Sequence, residues 1–136
     1  MNKDIKLKVI GTHSLEGEKE TFETICDGKY HLKNEKHYFM YQENTEHGLV
    51  KSIIKVQDES MEVIKSGAVN MHLFLEIGKI NACTYDTPFG SIPLDIHTKR
   101  IDMYIENHHM KVVAEYEMLN HDEVMAYCEL LIDGRD

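Results

Sequence analysis

The chain has nine histidines, and the tightest group is the adjacent pair His108-His109, with His121 further along the chain. Imidazole nitrogens are common zinc ligands, so such a group raises the question of a metal site. Adjacent residues on a strand point to opposite faces, however, and the sequence contains no His-x-His or His-Glu-x-x-His pattern. The spacing therefore favours surface histidines in a turn, and we predict no metal site.

Cysteines and paired carboxylates are the other groups that could take part in catalysis. Cys26, Cys83 and Cys128 are far apart and form no Cys-x-x-Cys pair, which argues against both a disulfide framework and a zinc ribbon. A cysteine nucleophile also needs a lowered pKa and a base beside it, and nothing in the sequence indicates one. Glu115 and Glu117 share a strand face that is predicted to be solvated. The sequence thus predicts no catalytic residue and no cofactor.

A third group of side chains is suited to binding a small molecule. Flexible or amphipathic side chains recur at positions predicted to face inward, namely Tyr30, Tyr41, Met71, Met103, Met110, Tyr116 and Met118. Such side chains fill a core as readily as they line a cavity, so both interpretations stay open. Close to Gly67, the side chains of Lys65, Asn70 and His72 could hold an anionic head group. The predicted ligand site consists of Tyr41, Lys65, Asn70, Met71, His72, Met103 and Tyr116.

β-Strands are the elements that must position these side chains. Apolar and charged residues alternate over residues 5–9, which is the period of a half-buried strand, and we expect this strand to end near Gly11. Similar alternation recurs to the end of the chain and gives about ten short strands. No window of a dozen residues has a sustained helical period. The connections are too short for helical crossovers, so the strands should be antiparallel.

Turn signals separate these strands. Asp27-Gly28 predicts a hairpin turn, residues 43–48 predict a polar connection, and Gly67 and Gly78 predict further breaks. Thr87-Pro88-Phe89-Gly90 predicts a turn in which Gly90 has a positive φ, before the alternating strand 91–98. A meander of this length protects its edges most simply by closing. We therefore predict an all-β fold with one domain over residues 1–136: a closed antiparallel up-and-down β-barrel of about 8–10 strands with little helix.

Several segments carry a family resemblance, and they occur in the same order along nearly the whole chain. They are Gly28-Lys29-Tyr30, Tyr41-Gln42-Glu43, Lys51-x-Ile53-Ile54-Lys55-Val56, Lys65-Ser66-Gly67-Ala68-Val69-Asn70-Met71, Phe89-Gly90 and Thr98-Lys99-Arg100-Ile101. With these segments the chain resembles the YwiB-like family of small bacterial proteins of uncharacterised function. The resemblance implies a calycin, or lipocalin-like, β-barrel and no reaction. Lys65 stands where the family more often has arginine, so a bidentate contact is not expected at that position.

Composition narrows the range of partners. Acidic residues outnumber Lys plus Arg by 24 to 15, and the formal charge of −9 disfavours nucleic acids and anionic membranes as partners. The first ten residues alternate charged and apolar side chains, unlike a signal peptide, so we expect a cytoplasmic protein. The first functional hypothesis is a non-enzymatic barrel that binds a small, partly apolar molecule. The alternative is a solid-core protein–protein interaction module or a homo-oligomer without a small-molecule ligand.

Overall fold

Ten antiparallel strands form a closed barrel in the computed structural model, which describes residues 2–87 and 90–136. The strands are β1 (Asn2–Leu15), β2 (Glu18–Lys33), β3 (Lys36–Thr45), β4 (Gly48–Gln57), β5 (Ser60–Gly67), β6 (Asn70–Glu76), β7 (Ile80–Thr87), β8 (Gly90–Ile105), β9 (His109–Asn120) and β10 (Glu123–Arg135). Each strand pairs with the next one in the chain, and β1 also pairs with β10, which closes the barrel. The predicted all-β, up-and-down barrel is confirmed. Among the described residues, no helix has the length and apolar character needed to cross a bilayer.

The two ends of the barrel differ in how their interiors are filled. The terminal end is the end where the chain begins and finishes, and the hairpin end carries the turns that follow Leu15, Thr45, Gly67 and Asn120. Apolar side chains of alternating residues pack the middle and the terminal end, and the following are at most 1% exposed: Leu7, Phe39, Ile54, Val56, Met61, Leu75, Met110, Val112 and Ile132. Burying one such side chain contributes about 1.5–3 kcal/mol. This layer is therefore the main stabilising core.

One polar contact lies at the terminal end of this interior. The Tyr30 hydroxyl and His37 Nδ1 are 2.5 Å apart. Burial lowers the pKa of His37, although the nearby Asp58 acts in the opposite direction. The imidazole is thus held in its neutral form, in which Nδ1 can accept the hydrogen bond from the tyrosine.

The predicted hairpin turn at Asp27-Gly28 is wrong, because β2 continues through these residues to Lys33. Gly28 pairs with Ile5 on one side and with Tyr41 on the other. A Cβ atom at Gly28 would lie 2.9 Å from the Met40 carbonyl oxygen and 3.2 Å from Leu7 Cδ2. The glycine therefore permits close packing inside a long strand, and the reversal occurs later, at residues 34 and 35.

Two other strand boundaries also differ from those predicted. The first strand does not end near Gly11 but at Leu15, before a two-residue turn in which Glu16 and Gly17 have φ values of 51° and 83°. The strand predicted over residues 91–98 does not end there but continues to Ile105 as β8, whose pairing with β9 is interrupted between Thr98 and Arg100. A bulge keeps both halves of β8 in one sheet while it shifts the alternation by one residue.

The glycine turns are confirmed where the structure describes them. Gly67 and Gly78 separate β5 from β6 and β6 from β7, with φ values of 107° and 77°. Gly90 has the predicted positive φ, at 127°. Pro88 and Phe89, the middle residues of that turn, lie outside the described residues.

The barrel wall is incomplete between β2 and β3. Residues 28–33 of β2 pair with residues 36–41 of β3, and the ladder goes no further. Residues 18–27 of β2 pair with β1 alone within the described part of the chain. The barrel is therefore open between β2 and β3 at the hairpin end, beside the polar side chains of Thr24 and Glu43.

Candidate ligand-binding site

An ion pair lies on the inward face of the barrel near the hairpin end. Lys65 Nζ on β5 is 3.8 Å from Glu43 Oε1 on β3, and the two side chains are 27% and 25% exposed. Thr24 Oγ1 on β2 donates a hydrogen bond of 3.1 Å to Glu43 Oε2. Three strands thus contribute to one polar cluster, which we call the Glu43 cluster. The Thr24–Glu43 bond also bridges the opening between β2 and β3.

The side chains beside the Glu43 cluster are polar but uncharged at neutral pH. Burial raises the pKa of Tyr41 to about 12. Burial also raises the pKa of Cys26, and the negative charge of Glu43 adds to this effect. Ser52 on β4 lies directly opposite Tyr41 on one neighbouring strand and Lys65 on the other, and it is 1% exposed. This wall of the barrel therefore offers hydroxyl and thiol groups around a single ion pair.

The opposite wall carries a second set of uncharged polar groups. Burial strongly raises the pKa of Tyr116, whose hydroxyl is hydrogen-bonded to Cys128. Burial also raises the pKa of Cys128 to about 11 and that of Cys83. Both thiols are consequently protonated at neutral pH and are poor nucleophiles.

Thr98 adds an unusual feature to this wall. Its side chain is 0% exposed, and Oγ1 has no hydrogen-bond partner among the described residues. A buried polar atom without a hydrogen-bond partner costs about 1–3 kcal/mol of stability, so such atoms are rare in well-packed protein cores. Thr98 pairs with Tyr116 across β8 and β9. The interior beside Tyr116 therefore has hydrogen-bonding capacity that the described protein atoms leave unused.

Two methionines connect these walls. Met71 on β6 pairs with Lys65, is half-buried and packs against the core. Met118 on β9 pairs with Ile96 and is half-buried in the same way. Thioether side chains adapt to the shape of what they contact. The interior of the hairpin end thus combines apolar, adaptable surface with a few polar groups.

Four of the predicted site residues face this interior: Tyr41, Lys65, Met71 and Tyr116. The structure places Asn70 and His72 on the outer face, where His72 is 61% exposed and its Nε2 lies 2.8 Å from Glu62 Oε2. The period of two explains this, since Met71 lies between them and faces inward. Their predicted role as interior contacts is therefore wrong. Met103 faces inward but lies close to the terminal end of β8, apart from the Glu43 cluster.

Glu43 and Thr24 are not among the residues that the sequence predicts for the site. The sequence predicts a polar connection over residues 43–48, whereas β3 continues to Thr45. The signal that could have found Glu43 is the alternation Phe39, Tyr41, Glu43, which places the carboxylate on the buried face of the strand. The same alternation on β2 identifies Thr24, because it lies two residues before Cys26 and therefore on the same face of the strand.

A groove lies outside the same part of the barrel, at the place where β2 leaves β3. Its volume is about 780 Å³, and most of its lining comes from outward-facing side chains such as Lys29, Met40 and Ile53. Tyr41 and Ser52 also contribute to its lining, because their strands form the wall between the groove and the interior. The groove thus lies over the end of the β2–β3 ladder, on the outer surface of the barrel.

The histidine and carboxylate pairs lie on the surface. His108 Nδ1 is 2.8 Å from Asp136 Oδ1, and His109 Nε2 is 3.0 Å from Asp133 Oδ1. Glu115 and Glu117 on β9 form ion pairs with basic groups of β8, which they meet on the outer face. Within the described ranges, no group of three or more His, Cys, Asp or Glu side chains could hold a metal ion. These residues therefore fix strand ends and strand pairs.

The chain is similar to known proteins over nearly the whole length of the barrel. The family model described as "Domain of unknown function (DUF1934)" matches residues 7–132. The "Uncharacterized beta-barrel protein YwiB" of Bacillus subtilis (strain 168) is 32% identical over 108 residues, which are 79% of this chain and 76% of that protein. The crystal structure of the ywiB protein from Bacillus subtilis has a TM-score of 0.87 and 28% identity, and the match covers 98% of this chain and 92% of that one. The matched range includes the strands that carry the Glu43 cluster.

Proposed function

We propose that this chain, which belongs to the DUF1934 family of uncharacterised function, binds a small, partly apolar molecule inside the hairpin end of its barrel. The observation that carries the proposal is the inward-facing Glu43 cluster. A barrel that needed only stability could fill this space with apolar side chains, as it does at the terminal end. Glu43 and Lys65 are only about one-quarter exposed, and ion pairs that are partly withdrawn from water contribute little net stability, so the presence of this pair calls for another reason.

The surroundings of the cluster indicate the chemistry of the ligand. Met71 and Tyr116 supply apolar surface on two sides of the interior. Glu43 accepts hydrogen bonds and Lys65 donates them, and the two are already paired. A simple anion would have to compete with Glu43 for Lys65. A ligand whose polar group both donates and accepts hydrogen bonds, such as an amide, satisfies both side chains at once.

Native mass spectrometry of gently purified protein tests the proposal. Wild-type protein should carry an additional small-molecule mass that is absent after denaturation. Met71→Trp fills the interior and should abolish this mass, because extra volume in an enclosed site excludes a ligand. His72→Trp is the matched control, since it adds the same side chain to the outer face one residue away. The proposal fails if wild-type protein carries no such mass, or if folded Met71→Trp retains it.

The polar contact can be tested separately. Lys65→Met removes the donor and should reduce the retained fraction about tenfold, the effect of losing one charged hydrogen bond of about 1.5 kcal/mol. Lys65→Arg keeps the charge and the donors, so most of the retained mass should remain. Equal retention by the two variants would show that Lys65 does not contact the ligand.

A further inference from the structure

Residues 18–27 of β2 form a strand edge that no other strand covers among the described residues. The turn at Glu16-Gly17, with two positive φ values, is the two-residue type that is flanked by a hydrogen-bonded pair. The even-numbered residues of β2, starting with Glu18, therefore bond to β1. The amide and carbonyl groups directed at the open edge belong to Lys19, Thr21, Glu23, Ile25 and Asp27.

The side chains of this edge leave it accessible. All of residues 18–27 are exposed except Thr24 and Cys26, which are half-buried. Phe22 is 58% exposed and Ile25 is 70% exposed. An uncovered strand edge with apolar side chains is a template for another strand.

The charges of the edge indicate which strand it accepts. Residues 18–27 include four acidic side chains, Glu18, Glu20, Glu23 and Asp27, and one lysine. Antiparallel pairing of this edge with a second copy would bring together two segments that each carry four acids and one lysine, and this excess of like charge is unfavourable. A segment with basic side chains would meet them favourably. On the outer face, Glu23, Ile25 and Asp27 alternate as acidic, apolar and acidic, and Asp27 also forms an exposed ion pair with Lys6 of β1.

We propose that the open edge of β2 binds an extended segment of another protein by β-strand addition. The segment carries basic, apolar and basic side chains at every second position, so that they meet Glu23, Ile25 and Asp27. Main-chain hydrogen bonds to the five odd-numbered residues supply affinity, and the alternating side chains supply selectivity. This site adjoins the interior ligand site, because the Thr24–Glu43 hydrogen bond crosses the opening beside the same edge, but its own contacts lie on the edge and outer face of β2.

Fluorescence anisotropy with a labelled peptide tests the proposal. The probe is the peptide Thr-Lys-Thr-Val-Thr-Lys-Thr, and the control peptide has glutamate in place of both lysines. Wild-type protein should bind the lysine peptide saturably and at least tenfold more tightly than the glutamate peptide. Ile25→Pro removes an amide that points at the open edge and leaves the β1 ladder intact, so it should weaken binding at least tenfold.

Charge reversal provides a second test that does not depend on the proline variant folding. Glu23→Lys should lower affinity for the lysine peptide and raise affinity for the glutamate peptide. Glu106→Lys is the matched control, because Glu106 is an exposed acid in the turn between β8 and β9; this variant should leave both affinities unchanged. The proposal is overturned if wild-type protein shows no saturable binding, or if Glu23→Lys and Glu106→Lys behave alike. A wild-type dimer that Ile25→Pro dissociates would also overturn it, in favour of pairing between two copies.

Discussion

Replacing Gly67 with alanine should destabilise the protein by about 2–4 kcal/mol, because two separate costs meet at this residue. Its φ of 107° is a conformation that side-chain-bearing residues rarely adopt, which costs about 1–3 kcal/mol. The added Cβ would also collide with the Leu49 carbonyl oxygen. That oxygen accepts a 3.0 Å hydrogen bond from the Ala68 amide, so it cannot move away without weakening a bond worth about 0.5–1.5 kcal/mol.

Chemical and thermal unfolding of Gly67→Ala measure this cost, and Gly78→Ala is the matched control. Gly78 also has a positive φ, 77°, but no atom lies within 4 Å of the position that its Cβ would occupy. Gly78→Ala should therefore lose only about 1 kcal/mol, the conformational part of the cost. For a domain of this size, 1 kcal/mol lowers Tm by about 3–5 °C, so the two variants should be clearly separated. If the two variants lost equal amounts of unfolding free energy, the steric argument would be refuted. A Gly67→Ala protein as stable as wild type would refute both the steric and the conformational cost at the turn between β5 and β6.

Three further predictions concern stability and reactivity. The pKa of His37 is lower in the folded protein, so the unfolded chain binds a proton more readily, and stability that is present above about pH 6.5 is lost as the pH falls through the folded-state pKa. In His37→Gln, the urea midpoint should therefore fall less between pH 7 and pH 5 than it does in the wild-type protein. An equal fall in both proteins would contradict this. Gly90→Val should cost about 1–3 kcal/mol because a β-branched side chain is strained at a φ of 127°, and an unaltered Tm would count against that turn. Cys26, Cys83 and Cys128 all have raised pKa values. A thiol reagent should therefore react slowly with the half-buried Cys26 in the native protein and not at all with the buried Cys83 and Cys128. Fast reaction of either buried thiol would show that the interior is open to solvent.

Most of the fold could be predicted from the sequence because strand alternation is a local property. A strand with a clear apolar face, such as residues 5–9, is predicted by the period of two alone. Asp27-Gly28 misled the prediction because a turn signal and a close-packing signal look the same along the chain. Only the pairing of Gly28 with Ile5 and Tyr41 distinguishes them, and that pairing depends on residues distant in sequence.

The candidate site could be predicted only in part, for a similar reason. Tyr41, Met71 and Tyr116 were placed correctly in the interior because they lie in strands with strict alternation. His72 is predicted as a site residue because it lies close to Gly67 in the sequence, although its side chain and that of the adjacent Met71 face opposite ways on the strand. Glu43 was missed because a polar residue near a turn is usually solvated, and its partner Lys65 becomes its neighbour only when the barrel forms.

The open edge of β2 could not have been predicted from local patterns either. The composition of residues 18–27 is that of an ordinary strand. Its lack of a second neighbour follows from the short β2–β3 ladder, which is set by the relative lengths and bending of both strands. Edge exposure is therefore a property of the assembled barrel.

Methionine methyl NMR shows whether the hairpin end of the barrel interior holds a ligand. Spectra of gently purified, 13C-methyl-methionine-labelled protein are compared with spectra of the same protein after denaturation, removal of small molecules and refolding. If a ligand is bound there, the Met71 and Met118 signals should shift between the two samples, while those of the outward-facing Met40 and Met125 should not. Identical spectra, or shifts confined to Met40 and Met125, would contradict the proposed binding.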